Sequence, residues 1–322
     1  MLMSVDAAHD LALRAARGAG AAEAVALALA DATIAAERAG RASVGFAHLP
    51  DYLDGFASGC IAATAEPVVT WPAPAIARVD ALGGIAQLGF DRAFGPLVER
   101  AGAFGLAAFA LTNGYTAGEI GYYTRRLAAA GLVALAAANG PALVTAGTSR
   151  AAIYGTNPFS FAAPAAGGPP VVIDQASSAT AFVKVRAAAE RGEAIPAGWA
   201  VDAEGRPTTD ARAAVNGLLL TFGGARGANI ALMVEVLAAG LTGANWSMDA
   251  PSFSGGTASP GVGLFVVALK PDLLAPDLPT RLAAQAARLA EAGVHVPGRR
   301  APREQIEIAS SVAAALQPYL AA

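Results

Sequence analysis

Phe222-Gly223-Gly224-Ala225-Arg226-Gly227 opens an apolar run that continues to Leu241. Its glycines are not spaced as G-x-G-x-x-G, and no such motif follows the first strand of the chain. A standard dinucleotide-binding crossover is therefore not supported. The stretch offers instead a glycine-rich entry into a helix. The first amides of a helix can hold phosphate oxygens, although the same residues read equally well as a tight turn.

Upstream of it, residues 4–39 read as helix, with Asp6 as a cap for the first turn and a break at Gly18 and Gly20. Residues 40–50 form a Gly/Pro-punctuated loop, and a short helix runs from Pro50 to Gly59. The Pro-rich segment 61–82 holds one or two strands around Val68, Val69 and Trp71. The middle alternates: helix from Phe90 to Phe104 ending at Gly105, strand at 106–111, helix at 118–130 and strand at 131–138. Strands follow at 158–163 and 170–174, then a helix from Ala179 to Arg191. Beyond the glycine-rich stretch come a strand at 262–269, a helix from Pro279 to Ala292 and a last helix over 302–321. Mixed elements without a strict βαβ rhythm indicate α+β or mixed α/β.

The 322 residues suit two or three packed units at roughly 100–200 residues per domain. Hydrophobic residues make up 55% and mean hydropathy is +0.46, but Ala and Gly account for most of it. No uncharged run of large apolar side chains reaches the ~20 residues needed to span a bilayer, so no membrane role is expected. The first residues, Met1 to Arg14, lack the basic start and apolar core of a signal peptide. The single cysteine, Cys60, cannot form an internal disulfide, which fits a cytoplasmic location. With net charge −3 and no basic cluster, nucleic acid is not an expected partner. No metal ligands stand out.

Eight short motifs then occur in order. They are Gly121-Tyr122-Tyr123, Tyr154-Gly155-Thr156-Asn157-Pro158, Ile173-Asp174-Gln175-Ala176-Ser177-Ser178, residues 195–202, residues 205–210, Gly223 to Gly227, Met233-Val234-Glu235-Val236-Leu237 and Leu241-Thr242-Gly243-Ala244. Together, over about residues 20–300, the series resembles the malate/L-lactate dehydrogenase family, also called sulfolactate dehydrogenase-like. The resemblance implies a non-Rossmann fold. A largely antiparallel sheet would bind a nicotinamide cofactor, and helices from both termini would form a second domain. On that basis residues 1–75 form the N-terminal helical part of a substrate and dimerisation domain, 76–215 the cofactor sheet, and 216–322 the part that completes the helical domain. It also implies a homodimer whose subunits share the active site.

The departures from the family pattern are informative. Where keto-acid reducers of the family carry Ser-His-Gly and then Arg before Leu-Pro, this chain reads Ser43-Val44-Gly45-Phe46-Ala47-His48-Leu49-Pro50. The position of the second active-site histidine, counted back from Gly121, is Thr116. Reducing a ketone builds an alkoxide that needs an acid with a pKa near working pH. A cyclic imine can arrive already protonated, and hydride transfer then neutralises it. Missing histidines therefore point to an imine.

The resemblance further implies the residue roles. Ser43 and Asp174 are the catalytic candidates: a hydroxyl that orients the imine and relays a proton, and a carboxylate that orders substrate or water. His48, Thr156 and Thr116 are the substrate contacts. His48 stands in for the arginine as a weaker single contact, or else is a neutral interface histidine. Thr156 reads alternatively as an ordinary turn residue and Asp174 as a helix cap. Asn139, Ser177, Ser178, Arg226, Pro297, Gly298 and Arg299 are the cofactor positions. Arg299 stands where relatives often have glutamate, which favours NADPH, with NADH the alternative. The expected activity is reduction of 1-pyrroline-2-carboxylate, and of 1-piperideine-2-carboxylate, to L-proline or L-pipecolate. The alternatives are a 2-hydroxy acid dehydrogenase (malate, lactate, sulfolactate or ureidoglycolate type) or an inactive homologue acting as a binding protein.

Overall fold

The computed structural model describes residues 1–253 and 257–321. Its N-terminal part runs β1 (Leu2–Ser4), α1 (Val5–Gly18), α2 (Glu23–Arg38), α3 (Leu49–Ser58), β2 (Val68–Ala73), β3 (Ile76–Asp80) and α4 (Ala86–Phe104). The middle runs β4 (Leu106–Gly114), α5 (Ile120–Ala129), β5 (Val133–Ala138), β6 (Val144–Thr145), β7 (Phe159–Ala163), β8 (Val171–Gln175) and α6 (Phe182–Arg191). Then come β9 (Ala200–Val201), β10 (Pro207–Thr208), α7 (Ala211–Val215), β11 (Leu218–Leu220) and α8 (Ala225–Glu235), β12 (Val262–Leu269), α9 (Leu278–Glu291), β13 (Gln305–Glu307) and α10 (Ser310–Leu320).

The two ends of the chain build one packed unit. In α1, Ala8, Leu11, Ala12, Ala15 and Ala16 recur at helical spacing and are buried. They share a core with α2, α3, Ile306, Ile308 and Leu316. Small side chains let these helices approach closely. A Cβ on Gly18 would lie 1.7 Å from the Tyr319 carbonyl oxygen, so α1 ends against α10 only because residue 18 is glycine. Two expectations change here. Ser4, not Asp6, caps α1, because its Oγ accepts from the Ala7 amide. The last helix starts at Ser310 rather than 302, because residues 305–307 pair antiparallel with 2–4.

The main sheet has seven strands in the order β2-β3-β4-β12-β5-β7-β8. Only β3 and β4 run parallel, and α4 supplies the crossover that parallel pairing requires. The other neighbours pair antiparallel, as do four further short strands except β6 with β11. This is a mixed α/β architecture without a doubly wound sheet. Strand β12, from the last third of the chain, lies at the sheet's centre between β4 and β5. Helices α4 and α5 cover one face, where Phe90 meets Phe109 and Tyr123 edge-on at 5.4 and 5.0 Å. Helices α6 and α7 pack on the small sheet β10-β9-β11-β6 around Val144, Val185, Ile195 and Leu219. Among the described residues no helix is long and apolar enough to cross a membrane.

Candidate active site

The loop between α2 and α3 is fastened at both sides. The buried carboxylate of Glu37 accepts the Phe46 amide at 2.8 Å. A Cβ on Gly45 would lie 2.5 Å from that carboxylate, so glycine lets the loop close on it. Burial pushes the Glu37 carboxyl above its ordinary range, partly offset by the Phe46 hydrogen bond and by Arg303. On the other side Arg41 donates to the Asp174 carbonyl at 3.0 Å. Ser43, half-buried in a 3₁₀ turn, lines a cavity of about 450 Å³ with Ala47, Lys184 and Trp199. His48 precedes α3. Its Nδ1 lies 2.7 Å from Asp51 Oδ2, and its ring meets Tyr52 edge-on at 5.1 Å. Tyr52 in turn meets Tyr115 at 5.8 Å, and Thr116, the next residue, is half-buried. Burial opposes ionisation of Asp51, but the His48 hydrogen bond and charge, with Arg186, hold its carboxyl below the ordinary value.

Asp174 lies near the end of β8, opposite Ser160 of β7. Around it the structure gathers Arg41, Glu119 and Arg125. A Cβ on Gly121 would lie 3.0 Å from Glu119 Oε1 and 3.1 Å from Asp174 Oδ2, so the two carboxylates flank that glycine. Glu119 is 5% exposed, pairs with Arg125 at 2.6 Å through Oε2, and leaves Oε1 without a hydrogen bond among the described residues. Burial raises both carboxyls. For Asp174 it outweighs Arg41, the Gly121 amide and Arg125; for Glu119 it outweighs Arg125 and Arg41 and is reinforced by Asp174. Arg41, Glu119, Arg125 and Lys184 were not singled out from the sequence. The available signal was charge beside motif glycines: Glu119 and Arg125 flank Gly121-Tyr122-Tyr123, and Arg41 stands two residues before Ser43.

Most of the cofactor candidates fall around β8, whereas Asn139 follows β5. At the start of the strand the Val172 amide donates to the Pro297 carbonyl at 3.1 Å, and just before it Arg299 donates to the Pro169 carbonyl. Gly298 has φ +81, and a Cβ there would lie 2.4 Å from the Val172 nitrogen. After the strand, Ser178 bridges Thr221, which brings it to Gly223 and Gly224, both at positive φ. Gly224 begins α8 without a side-chain cap, and Arg226 is exposed with no ion pair or hydrogen bond among the described residues. Open helix-start amides beside a free guanidinium suit an anionic phosphate. Arg299 thus lies beside the start of β8, and Arg226 belongs to the turn reached through the Ser178–Thr221 bridge beyond its other end. Several hydroxyls and amides are already engaged. Ser177 Oγ donates to the carbonyls of Thr156 and Asn157, and Ser178 Oγ to that of Thr180. Asn139 bonds the Asn245 carbonyl and the Gly263 amide.

The family model for malate/L-lactate dehydrogenase matches residues 3–313. The chain is 38% identical over 326 residues to a (2R)-3-sulfolactate dehydrogenase (NADP(+)) of Chromohalobacter salexigens, covering 99% of this chain and 98% of that protein. It is 37% identical over 304 residues to a Δ1-pyrroline-2-carboxylate/Δ1-piperideine-2-carboxylate reductase of Pseudomonas aeruginosa, covering 94% and 91%. The crystal structure of Δ1-piperideine-2-carboxylate reductase from Pseudomonas syringae pv. tomato superposes with a TM-score of 0.92 at 34% identity, covering 99% of each chain.

Proposed function

Because this chain belongs to the malate/L-lactate dehydrogenase family, whose members are nicotinamide-dependent oxidoreductases, we propose that it reduces the C=N bond of a cyclic imino acid. The substrate is 1-pyrroline-2-carboxylate, with 1-piperideine-2-carboxylate as a second, and the products are L-proline and L-pipecolate. The observation that carries the reading is the make-up of the loop beside Asp174. Arg41 binds it to β8, Ser43 is its half-buried hydroxyl, and its one histidine, His48, is held by Asp51. Val44 and Thr116 stand where keto-acid reducers of the family carry their two histidines; a ketone would need such an acid, and an iminium cation does not.

The cofactor would supply a hydride. Arg226 and the first amides of α8 would hold its diphosphate, Arg299 the 2′-phosphate of NADPH, and Asn139, Ser177, Ser178, Pro297 and Gly298 would shape the surrounding backbone. Thr156, Thr116 and His48 would bind the substrate carboxylate. Ser43 would orient the nitrogen and pass it a proton from water, because a hydroxyl both donates and accepts. Asp174 would order the substrate or that water. The division into residues 1–75, 76–215 and 216–322, with β12 returning to the sheet, a cytoplasmic location and a homodimer belong to the same reading.

The near full-length likeness to a sulfolactate dehydrogenase favours a second reading, a 2-hydroxy acid dehydrogenase. A substrate panel separates the two. Loss of near-ultraviolet NADPH absorbance with either cyclic imine, and none with pyruvate, oxaloacetate or sulfopyruvate, is the expected result. Turnover of the keto acids alone would replace the imine reading with the second.

A further inference from the structure

The Met233-to-Leu237 motif carries a buried carboxylate that has no role in the site as described. Glu235 ends α8, where the helix widens into a π turn at Val236–Gly240. It is 5% exposed and its carboxylate receives three donors. Asn157 Nδ2 reaches Oε2 at 2.6 Å, Ser247 Oγ reaches Oε2 at 2.8 Å, and the Ser247 amide reaches Oε1 at 2.6 Å. The Asn157 amide group also donates to the Ala231 carbonyl of α8 at 3.0 Å.

Asn157 is completely buried and has φ +40, the left-handed region that non-glycine residues occupy only when the surroundings hold them there. It follows Thr156 directly. From the other side Ser177 grips the same two residues. Its amide and hydroxyl donate to the Thr156 carbonyl at 2.9 and 3.0 Å, and its hydroxyl also to the Asn157 carbonyl at 2.9 Å. The Thr156–Asn157 turn is therefore clamped between Ser177 and, through the Asn157 side chain, Glu235. The π turn that begins at the next residue packs where Gly263 has no side chain, since a Cβ there would lie 1.8 Å from the Ala238 carbonyl oxygen. Such single-turn expansions recur at functional sites.

We propose that Glu235 is the positioning residue of the substrate-carboxylate site: by holding Asn157 it fixes the left-handed turn that presents Thr156. The inference rests on the reading of Thr156 as a carboxylate contact. It explains why the residue is an acid. Three donors converge on two oxygens, and a carboxylate is acceptor-only. A glutamine would turn an NH2 group towards the Ser247 amide or the Asn157 NH2, donor against donor. An aspartate keeps the chemistry but is one methylene short.

The test compares Glu235→Gln, Glu235→Asp, Thr156→Ala and the Glu235→Gln/Thr156→Ala double variant. Each is assayed on 1-pyrroline-2-carboxylate with saturating NADPH, below its Tm and with native circular dichroism. Glu235→Gln should raise KM about tenfold or more while kcat stays within about threefold, and Glu235→Asp should recover part of the loss. The double variant should be no worse than Thr156→Ala alone, since both act through one contact. A folded Glu235→Gln enzyme with unchanged KM, or a fully additive double variant, overturns the inference while leaving Thr156 in place. An unchanged KM in Thr156→Ala removes the substrate contact itself, and the inference with it. Should Glu235→Gln fail to fold, Asn157→Gly decides. Glycine keeps the left-handed backbone but loses the amide, so a raised KM supports the clamp and an unchanged one overturns it.

Discussion

A hydroxyl and an imidazole share the loop between α2 and α3, and their different surroundings give them different tasks. Ser43 opens onto the cavity with Lys184, and its side chain makes no hydrogen bond among the described residues. His48 has Nδ1 committed to Asp51, so only Nε2 can meet a substrate. Ser43→Ala should lower kcat on the imine by roughly 10²–10⁴-fold, near the low end if the substrate arrives protonated. His48→Ala should mainly raise KM. Steady-state kinetics of both variants check this, and a normal kcat in Ser43→Ala with none left in His48→Ala would make His48 the acid. Asp174 gives a second, pH-dependent outcome. Its carboxyl is raised in the folded state, chiefly by burial, so the folded protein holds that proton more tightly than the unfolded chain. Stability from this group is present at low pH and is lost as pH rises through the folded value. Asp174→Asn keeps an acceptor for the Gly121 amide and cannot ionise. Its Tm relative to the unaltered protein should therefore improve as pH rises from the ordinary carboxyl value of 3.8, and level off once Asp174 is ionised in the folded state. A gap that narrows over that range would show that Arg41 and Arg125 outweigh burial.

Elements with strong local signals were legible in the sequence, and those made by distant pairing were not. Gly105 closes α4 at φ +85, as its place after an apolar helix predicts, and α2, α3, α5 and β12 lie within a residue or two of their expected bounds. β1 and β13 were missed because each is three residues long and exists only as the other's partner from the opposite end of the chain. β6, β9, β10 and β11 are two or three residues long, too short to show a period of two. The site divides in the same way. Asp174 and Thr156 are candidates by motif position, whereas Arg41 and Glu119 come beside Asp174 through contacts that the fold creates. At this scale the glycine-rich entry to α8 makes a prediction. A Cβ on Gly227 would lie 2.0 Å from the Phe222 carbonyl oxygen, so Gly227→Ala must distort the turn that carries Arg226. A loss of about 1–3 kcal/mol in stability and weaker NADPH binding are expected, read by denaturant unfolding and fluorescence titration. The two arginines, Arg299 beside the start of β8 and Arg226 beyond its other end, should also separate in function. Arg299→Glu should shift preference from NADPH towards NADH, and Arg226→Ala should weaken both cofactors alike. Equal efficiency with both cofactors, unchanged in Arg299→Glu, would remove the 2′-phosphate role.

At the scale of the molecule, the sheet's strand order depends on β12 crossing back between β4 and β5, and no local pattern in residues 262–269 announces which neighbours it will take. The surface carries a further consequence. Leu232 and Met233 each lie about one turn before Val236 on α8 and its continuation, and each of the three is about half exposed; Leu241, Trp246 and Met248 extend the apolar surface at 60%, 45% and 65% exposure. Isolated apolar residues on a surface are ordinary, but a run of large ones along one helix and the turn after it marks an interaction site. The same helix begins with the candidate phosphate loop and ends with Glu235, so whatever covers it also braces the site. A second copy of this chain fits, because a two-fold pairing would bury the same patch on both subunits without leaving a complementary face open. The mass by light scattering should be near twice the 31.9 kDa of the chain. Replacing Trp246 and Met248 together by glutamate places charge in that contact, and should yield a folded monomer with activity reduced at least about tenfold. A fully active monomer, in either the unaltered protein or the double variant, would show that each chain completes its own site and that the exposed apolar face serves another purpose.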